Sequence, residues 1–479
     1  MGLLAPSDCL KWRTQDDWLV GGDHCQFNHF VEQRLQQLVS LQPNRPSILL
    51  AEPDPVRFLA GFMAACTAAC PVFLGNPHWA FSEWQQVFEL VQPDLVWGVV
   101  PLSTQTTLNK GHRSTKLPHP VSTPSLPHTS QIMIPTGGSS GQIRFAIHTW
   151  ETLMTSVEGF KQHFQVTQVN SLCVLPLYHV SGLMQFLRTF TSGGRLAIQS
   201  FKALETKGPL AIDPAAFFIS LVPTQLQRLL ALAEVVSATE WLSHFQVVLL
   251  GGGPAWPELL EQARNRHIRL ALTYGMTETA AQVATLKPDD FLAGNCSCGQ
   301  VLPHAAVTIC DGQQELLERH QTGQVRIQTD SLALGYYAEG SNQAFGRIDF
   351  ETDDLGFLDA QGYLHITGRS SHKIITGGEN VFPAEVESAI RSTQLVADVC
   401  VLGVPDQQWG QQVVAVYIPQ HQEISLAMLK AAIAHQLSKF KQPKIWLPVD
   451  HLPRNPQGKI NYAKLQEMVR IILAVSDPT

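Results

Sequence analysis

A run of small and hydroxylic residues that follows a predicted strand is the segment of this sequence best suited to hold phosphate oxygens. It extends from Ile134 to Arg144 and reads IPTGGSSGQIR. Glycines let backbone N–H groups converge, the hydroxyls add donors, and Arg144 adds positive charge. A flexible turn is the competing interpretation, and the run does not match the GxxxxGK[ST] pattern of P-loop nucleotidases. The candidate ligands of an anion are Thr136, Gly137, Gly138, Ser139, Ser140 and Gly141.

Four further segments combine glycine with side chains that can do chemistry. They are Gly251-Gly-Gly-Pro254, Tyr274-Gly-Met-Thr-Glu278, Asp354 followed by Gly368-Arg369, and Leu452-Pro-Arg-Asn-Pro-Gln-Gly-Lys459. Each also has an ordinary structural interpretation, such as a glycine turn, a helix-start carboxylate or a solvated lysine. Taken in order with the first loop, however, they resemble the motifs of adenylate-forming enzymes. This superfamily comprises acyl-coenzyme A ligases, luciferases and peptide-synthetase adenylation domains.

The resemblance implies an ATP site with Mg²⁺. In the family's YGxTE motif the tyrosine stacks on adenine, the threonine contacts the α-phosphate and the glutamate holds Mg²⁺, which here are Tyr274, Thr277 and Glu278. Asp354 matches the ribose-binding acid, and Arg369 matches the arginine before the hinge. The adenine-binding turn is implied at Gly251, Gly252 and Gly253.

The resemblance also implies which residues stabilise the developing charge. The lysine of the PRxxxGK block, here Lys459, bridges the acyl carboxylate and the α-phosphate. The phosphate loop departs from the family pattern TSG[ST]TGxPK, because Gly137, Ile143 and Arg144 replace Ser, Pro and Lys. The substitution at 144 keeps one cation. The implied catalytic residues are therefore Lys459, Arg144 and Thr277.

Two half-reactions in one site are implied. A carboxylate first attacks ATP to give an acyl-adenylate and pyrophosphate, and the thiol of coenzyme A then displaces AMP. In the family a small C-terminal domain rotates between the steps, and we predict its hinge at Ser371, where Asp or Lys is common. The loop containing Gly377 and Gly378 would then help to shape the pantetheine tunnel, although a simple turn explains these glycines equally well.

The identity of the acid is less constrained by sequence. The block LPLYHVSG at 175–182 resembles the family's PLxHxxG motif, which implies that His179 and Ser181 border the acyl pocket. Arg188 follows on a core-like helix, where a cation is costly unless it meets an anion. A helix-surface arginine that pairs with an acid is the alternative. These features are most similar to the o-succinylbenzoate–coenzyme A ligases of menaquinone and phylloquinone biosynthesis, whose substrate is a diacid.

Three alternatives stay open at this point. The chain could activate another fatty or aryl acid, since related ligases share most of these motifs. It could be an adenylation domain that loads a carrier protein, but no carrier motif with a phosphopantetheine serine is visible. A nucleotide-sensing relative without enzymatic activity is the third alternative, and only the altered phosphate loop suggests it.

The pattern of apolar and helical segments around these motifs predicts an α/β fold with two domains. Short apolar runs alternate with helical stretches up to about residue 274, which predicts two βα subdomains with parallel sheets. Residues 299–366 predict a small antiparallel β region. We place a large N-terminal domain at 1–369 and a small, mobile α+β lid domain carrying Lys459 at 370–479.

Composition restricts the partners and the compartment. With 33 basic and 40 acidic residues the formal charge is −7, which argues against tracking along nucleic acid. Nine cysteines show no zinc-ligand spacing, and the longest apolar run, 58–70, is too short to span a bilayer and predicts a buried helix. We therefore expect a soluble cytoplasmic protein without nucleic-acid or membrane partners, and homo-oligomerisation is left open.

Overall fold

The computed structural model describes most of the chain, including nearly all predicted site residues. The described ranges are 4–41, 45–101, 130–137, 142–232, 238–337, 349–377, 379–421, 424–454 and 458–476. Five predicted site residues lie outside these ranges, namely Gly138, Ser139, Ser140, Gly141 and Gly378.

The described helices and strands follow one another as an α/β chain with a β-rich last third. The helices are α1 (Pro6–Arg13), α2 (His24–Val39), α3 (Pro55–Thr67), α4 (Phe81–Leu90), α5 (Trp150–Phe164), α6 (Val180–Ser192), α7 (Phe201–Lys207), α8 (Pro223–Leu232), α9 (Ala238–Ser243), α10 (Pro257–Asn265), α11 (Pro288–Leu292), α12 (Pro383–Ser392), α13 (Leu426–Ile433) and α14 (Tyr462–Ser476). The strands are β1 (Leu19–Val20), β2 (Ile48–Ala51), β3 (Val72–Leu74), β4 (Leu95–Gly98), β5 (Ile132–Gly137), β6 (Ile143–His148), β7 (Asn170–Cys173), β8 (Leu196–Ile198), β9 (Phe217–Leu221), β10 (Val247–Leu250), β11 (Leu270–Met276), β12 (Ala281–Thr285), β13 (Gln300–Val301), β14 (Ala305–Cys310), β15 (Gly323–Thr329), β16 (Phe350–Leu358), β17 (Leu364–Arg369), β18 (Ile374–Thr376), β19 (Glu379–Val381), β20 (Val396–Asp406), β21 (Gly410–Pro419) and β22 (Ile445–Pro448).

Two mixed, mainly parallel sheets form the first part of the molecule, as the alternating pattern predicts. One sheet has the order β4-β2-β3-β5-β6 and the other β1-β8-β7-β9-β10-β11-β12-β13. In both, the strands that leave the parallel pattern lie at an edge, because β6 pairs antiparallel with β5, and β12 and β13 continue β11 antiparallel. The predicted phosphate loop therefore connects the two strands of an antiparallel hairpin.

Helix α3 lies in the largest hydrophobic cluster, which includes strands of both sheets. Its start is specified locally, since Asp54 accepts a hydrogen bond from the Arg57 amide at 2.8 Å and Pro55 occupies the first turn. All residues from 58 to 66 are buried. The prediction of a buried helix for this apolar run is confirmed.

The β-rich last third also agrees with the predicted pattern. Strands β14 to β17 form a four-stranded antiparallel sheet, and β18 to β22 form a separate sheet packed with α12 to α14. Among the described residues, Ile366 packs in one hydrophobic cluster and Ile374 in another. The predicted boundary between residues 369 and 370 falls between them. The assignment of domains at that boundary stays a prediction.

Local boundaries and the N-terminus differ from expectation. The sequence pattern also predicts a helix at 425–438, but α13 ends at Ile433. Helices α1 and α2 were not predicted, although Phe27, Val31 and Leu38 of α2 are buried and recur at helical spacing. In the described part of the chain, none of the helices has the length and apolar character needed to cross a membrane.

Candidate active site

A tyrosine, a carboxylate and an arginine form a closed hydrogen-bonded group on the predicted adenosine side. The Tyr274 hydroxyl at the end of β11 donates to Oδ2 of Asp354 at 2.8 Å, and Nε of Arg369 donates to Oδ1 at 2.9 Å. Asp354 and Arg369 are cross-strand partners in β16 and β17. Burial, followed by the Asp354 carboxylate, raises the pKa of Tyr274. Both oxygens of this buried carboxylate are thus occupied by protein donors.

Lys459 reaches into the same region from the C-terminal part of the chain. Its Cε lies 3.7 Å from the point where a Cβ at Gly252 would stand. Burial, followed by the charge of Arg369, lowers the pKa of Lys459, while Glu278 and Asp354 act in the opposite direction. The structure therefore brings together predicted residues that are more than 200 positions apart in the sequence.

The glycine turn beside Lys459 requires glycine at two positions. A Cβ at Gly251 would approach Oγ1 of Thr273 to 2.2 Å, and Gly252 has φ of +83°. Side-chain-bearing residues rarely adopt that conformation. A Cβ at Gly253 meets no atom within 4 Å. The turn follows β10 directly.

An arginine, a tyrosine and a glutamate connect the hairpin to the YGMTE segment. Arg144 is the cross-strand partner of Thr136, so both flank the predicted phosphate loop. The Arg144 guanidinium lies over the Tyr336 ring, with 4.3 Å from Cζ to the ring centroid. The Tyr336 hydroxyl donates to Oε1 of the buried Glu278 at 2.5 Å. Tyr336 was not predicted from the sequence, because it lies far along the chain from both partners.

His148 is a second residue that sequence analysis missed. It ends β6, is fully buried, and its Nε2 donates to the carbonyl oxygen of Thr277 at 2.7 Å. Burial lowers the pKa of His148 to about 4, so the ring is neutral at pH 7. Thr277 and Glu278 lie in a single 3₁₀ turn, Thr277–Thr279. His148 thus fixes the turn that presents them.

Helix α6 carries the residues predicted for the acid side of the site. His179 is its N-cap residue, and burial, followed by Lys459, lowers the pKa of His179 to about 3. The carbonyl oxygen of Ser181 accepts a hydrogen bond from Gln185 at 3.0 Å. His179 and Lys459 therefore lie within electrostatic reach of each other, which connects this helix to the adenosine side.

Arg188 is buried on α6 and does not lie on the helix surface. Only 4% of its surface is exposed, and its guanidinium lies 4.1 Å from the ring centroid of Phe160. Nε and Nη2 have no hydrogen-bond partner among the described residues, and no described carboxylate pairs with them. Burial lowers the pKa of Arg188 to about 9, which leaves it cationic at pH 7.

His304, which precedes β14, lies beside this arginine and was also missed. Its ring packs so closely on α5 that a Cβ at Gly159 would stand 1.8 Å from Nδ1. Both ring nitrogens are buried and lack a regular hydrogen bond to the described chain. Burial, followed by Arg188, lowers the pKa of His304 to about 4, against the opposing effects of Asp330 and the Gln282 backbone.

The predicted hinge residue Ser371 lies just after the end of β17, and the predicted tunnel residue Gly377 directly follows β18. Ser371 belongs to the 3₁₀ turn Ser370–His372, and its amide donates to Oδ1 of Asp353 at 3.0 Å. Gly377 has φ of +58°, and its amide donates to the Trp409 carbonyl oxygen at 2.9 Å. Both residues thus lie in turns, and a turn is compatible with a hinge or tunnel role as well as with a purely structural one.

Comparison with known proteins gives consistent matches along the chain. The family described as AMP-binding enzyme matches residues 47–337, and the AMP-binding enzyme C-terminal domain matches 385–459. A 2-succinylbenzoate–CoA ligase of Listeria monocytogenes is 30% identical over 429 residues, which is 88% of each chain. A ligase of the same name from Enterococcus faecalis is 32% identical over 68% of this chain and 67% of its own.

Solved structures show the same fold. The o-succinylbenzoate CoA synthetase of Bacillus subtilis, in complex with its acyl-adenylate intermediate, superimposes with a TM-score of 0.79 at 23% identity, covering 96% of this chain and 97% of its own. ATP-bound MatB of Rhodopseudomonas palustris gives 0.78 at 21% identity, covering 95% of both chains. The predicted fold class and superfamily are confirmed. This chain belongs to the AMP-binding enzyme family.

Proposed function

We propose that the chain is an AMP-forming acid–thiol ligase that converts 2-succinylbenzoate into its coenzyme A thioester. The carrying observation is the Arg188 guanidinium, which is buried and lacks an acidic partner in the described chain. A buried cation is costly unless an anion and hydrogen bonds compensate it. A diacid offers one carboxylate for adenylation and a second one for Arg188.

The surroundings of Arg188 support a polar ligand. Buried polar atoms normally have hydrogen-bond partners, so several unsatisfied ones in one region need an explanation. Besides Arg188, both nitrogens of His304 and Oε1 of Gln282 have none in the described chain. The neutral His304 ring can donate one hydrogen bond to a carboxylate oxygen. A monoacid would leave these groups unsatisfied, which favours the diacid.

For the first half-reaction we assign the stabilisation of charge to Lys459, Arg144 and the turn at Thr277. As the acid attacks the α-phosphorus, negative charge develops on the phosphate oxygens and the leaving pyrophosphate. Two preorganised cations and the Thr277 hydroxyl can stabilise that charge without rearrangement.

Glu278 fits the requirement for Mg²⁺. Magnesium prefers one or two carboxylates plus substrate phosphate oxygens, and Oε1 of Glu278 is held by Tyr336 while Oε2 has no described hydrogen bond. When bound, the ion offsets the charge of the triphosphate. One described cluster of three potential metal ligands, Asp23 to Cys25, is exposed at the start of α2, outside this site.

We further propose that Tyr274, Asp354 and Arg369 bind the adenosine beside the turn at Gly251 to Gly253. For the second half-reaction we propose rotation of residues 370–479 about Ser371, which would bring Gly377 and Gly378 to the pantetheine. A Ser371→Pro variant tests this step, because it fixes φ and removes the amide that donates to Asp353. It should impair thioester formation more than adenylation, and unimpaired coenzyme A transfer would exclude this hinge.

The decisive experiment is ATP–pyrophosphate exchange with a panel of acids, followed by thioester detection with coenzyme A. We expect exchange with 2-succinylbenzoate to exceed that with fatty and simple aryl acids. Preference for a monoacid would refute the diacid assignment. Exchange without transfer to coenzyme A would indicate a carrier-loading domain, and nucleotide binding without exchange would indicate a sensor. A cytoplasmic location without nucleic-acid or membrane partners belongs to the same proposal.

A further inference from the structure

A short ion-pair network holds the segment that carries Lys459. The Asp398 carboxylate in β20 accepts two arginines, Nη2 of Arg391 on Oδ1 at 2.8 Å and Nη2 of Arg454 on Oδ2 at 2.5 Å. Nη1 of Arg454 donates to the carbonyl oxygen of Gly458, the residue before Lys459. The three charged side chains are 17% to 26% exposed.

The same network touches the large N-terminal part of the molecule. The Arg391 guanidinium lies over the ring of Trp256, which caps α10, at 5.1 Å from the centroid. Gly458 also packs on this part, since a Cβ there would lie 2.7 Å from Oγ1 of Thr224. One arginine therefore connects Asp398 to the Lys459 segment, and the other connects it to the opposite domain.

We infer that Asp398 is a positioning residue for Lys459, acting through Arg454, and that the Arg391–Trp256 contact couples this position to the domain orientation used for adenylation. Toward Lys459, Asp398 acts through Arg454 and the Gly458 carbonyl of the peptide that precedes the lysine. A lysine side chain is flexible, so the placement of its ammonium depends on an anchored backbone, and misplacement by about 1 Å can cost about 100-fold in rate. The inference rests on the proposed role of Lys459 in the first half-reaction.

The test measures both half-reactions in Asp398→Asn. Adenylation should fall by about 100-fold in kcat, with the KM for ATP nearly unchanged, because the lysine acts in the transition state. Thioester formation from supplied acyl-adenylate should be unchanged. Asp398→Glu should recover part of the loss, since it keeps the carboxylate. Trp256→Ala should lower adenylation less, in the same direction.

A matched control is Glu467→Gln, which removes an exposed ion pair with Arg470 on α14. It should leave both half-reactions unchanged. Equal losses in both half-reactions of Asp398→Asn, or no loss in adenylation, would overturn the inference.

The assay uses whichever acid the wild type activates, so a wrong substrate assignment leaves this test intact. If the wild type activates none of the acids tested, crystal structures of the wild type and of Asp398→Asn test the inference instead. Lys459 should then leave its position beside Gly252 only in the variant, and an unmoved lysine would refute the inference.

Discussion

The adenosine side and the acid side of this site differ in how their buried polar groups are satisfied. On the adenosine side, Tyr274, Asp354 and Arg369 bind one another at 2.8 and 2.9 Å. On the acid side, Nε and Nη2 of Arg188 and both ring nitrogens of His304 are buried without a hydrogen-bond partner in the described chain. The first group is satisfied without a ligand. The second group carries an uncompensated desolvation cost until an anion binds.

The difference between the two sides predicts which of them determines substrate specificity. In a closed hydrogen-bonded group the polar atoms already have partners within the protein, so removing one member weakens ligand binding only moderately. An uncompensated cation gains most from a matching anion and discriminates strongly against ligands that lack it. We therefore expect variants on the acid side to separate substrates, and variants on the adenosine side to affect all acids alike.

Lys459→Ala should produce the largest effect and affect all acids, because the ammonium lies where the two sides meet. Loss of a preorganised charge at the transition state should lower adenylation by about 100- to 1000-fold. Thiol transfer from a supplied acyl-adenylate should persist. The exposed Lys464 gives a matched control, Lys464→Ala. Equal losses in both half-reactions would contradict the assigned role.

Arg188→Ala should show the strongest discrimination between acids. Breaking a buried charge pair should cost about 2 to 4 kcal/mol in kcat/KM for 2-succinylbenzoate. For an analogue without the aromatic carboxylate, kcat/KM should hardly change. We would compare both substrates in this variant and in Arg195→Ala, which removes an exposed arginine. Parallel losses on the two acids would remove the basis for the diacid assignment.

Tyr274→Phe should test the adenosine side with a smaller effect. The variant removes one hydrogen bond to Asp354 and leaves the pair with Arg369 in place. A hydrogen bond to a charged group contributes about 1.5 to 3 kcal/mol. We expect a higher KM for ATP, measured by pyrophosphate exchange, by the same factor for every acid. A loss confined to 2-succinylbenzoate would contradict the division into two sides.

His304→Gln should have the smallest effect of these variants, and the effect should be on the free energy of unfolding at low pH. The folded protein holds the pKa of His304 near 4, below its usual value, so the unfolded chain binds the proton first as pH falls. The wild type should therefore lose stability between about pH 6.5 and pH 4, and His304→Gln should lose about 1 to 2 kcal/mol less. Urea unfolding at both ends of this interval measures the difference.

The exposed His435 provides the control variant, His435→Gln. An identical acid response of His304→Gln and wild type would show that burial does not hold the His304 ring neutral.

Local sequence was sufficient for the elements whose determinants are short-range. The buried helix at α3 follows from its apolar run and its Asp54 cap, and the glycine turn after β10 follows from the need for positive φ at Gly252. Cross-strand contacts were not predictable in this way. Tyr336 contacts Arg144 and Glu278 only because three separate segments of the chain adjoin, and no spacing in the sequence signals that contact.

The family, the α/β fold and the types of group in the site could be predicted from the residues alone, because motifs and periodicity are properties of neighbouring residues. The state of those groups depends on how distant segments pack together. The sequence around Arg188 is compatible with a helix-surface arginine and with a buried one. In the structure Arg188 is buried against Phe160, and no acidic partner lies beside it in the described chain. Charge, solvation and pairing depend on distant segments, and these determine what the arginine can bind.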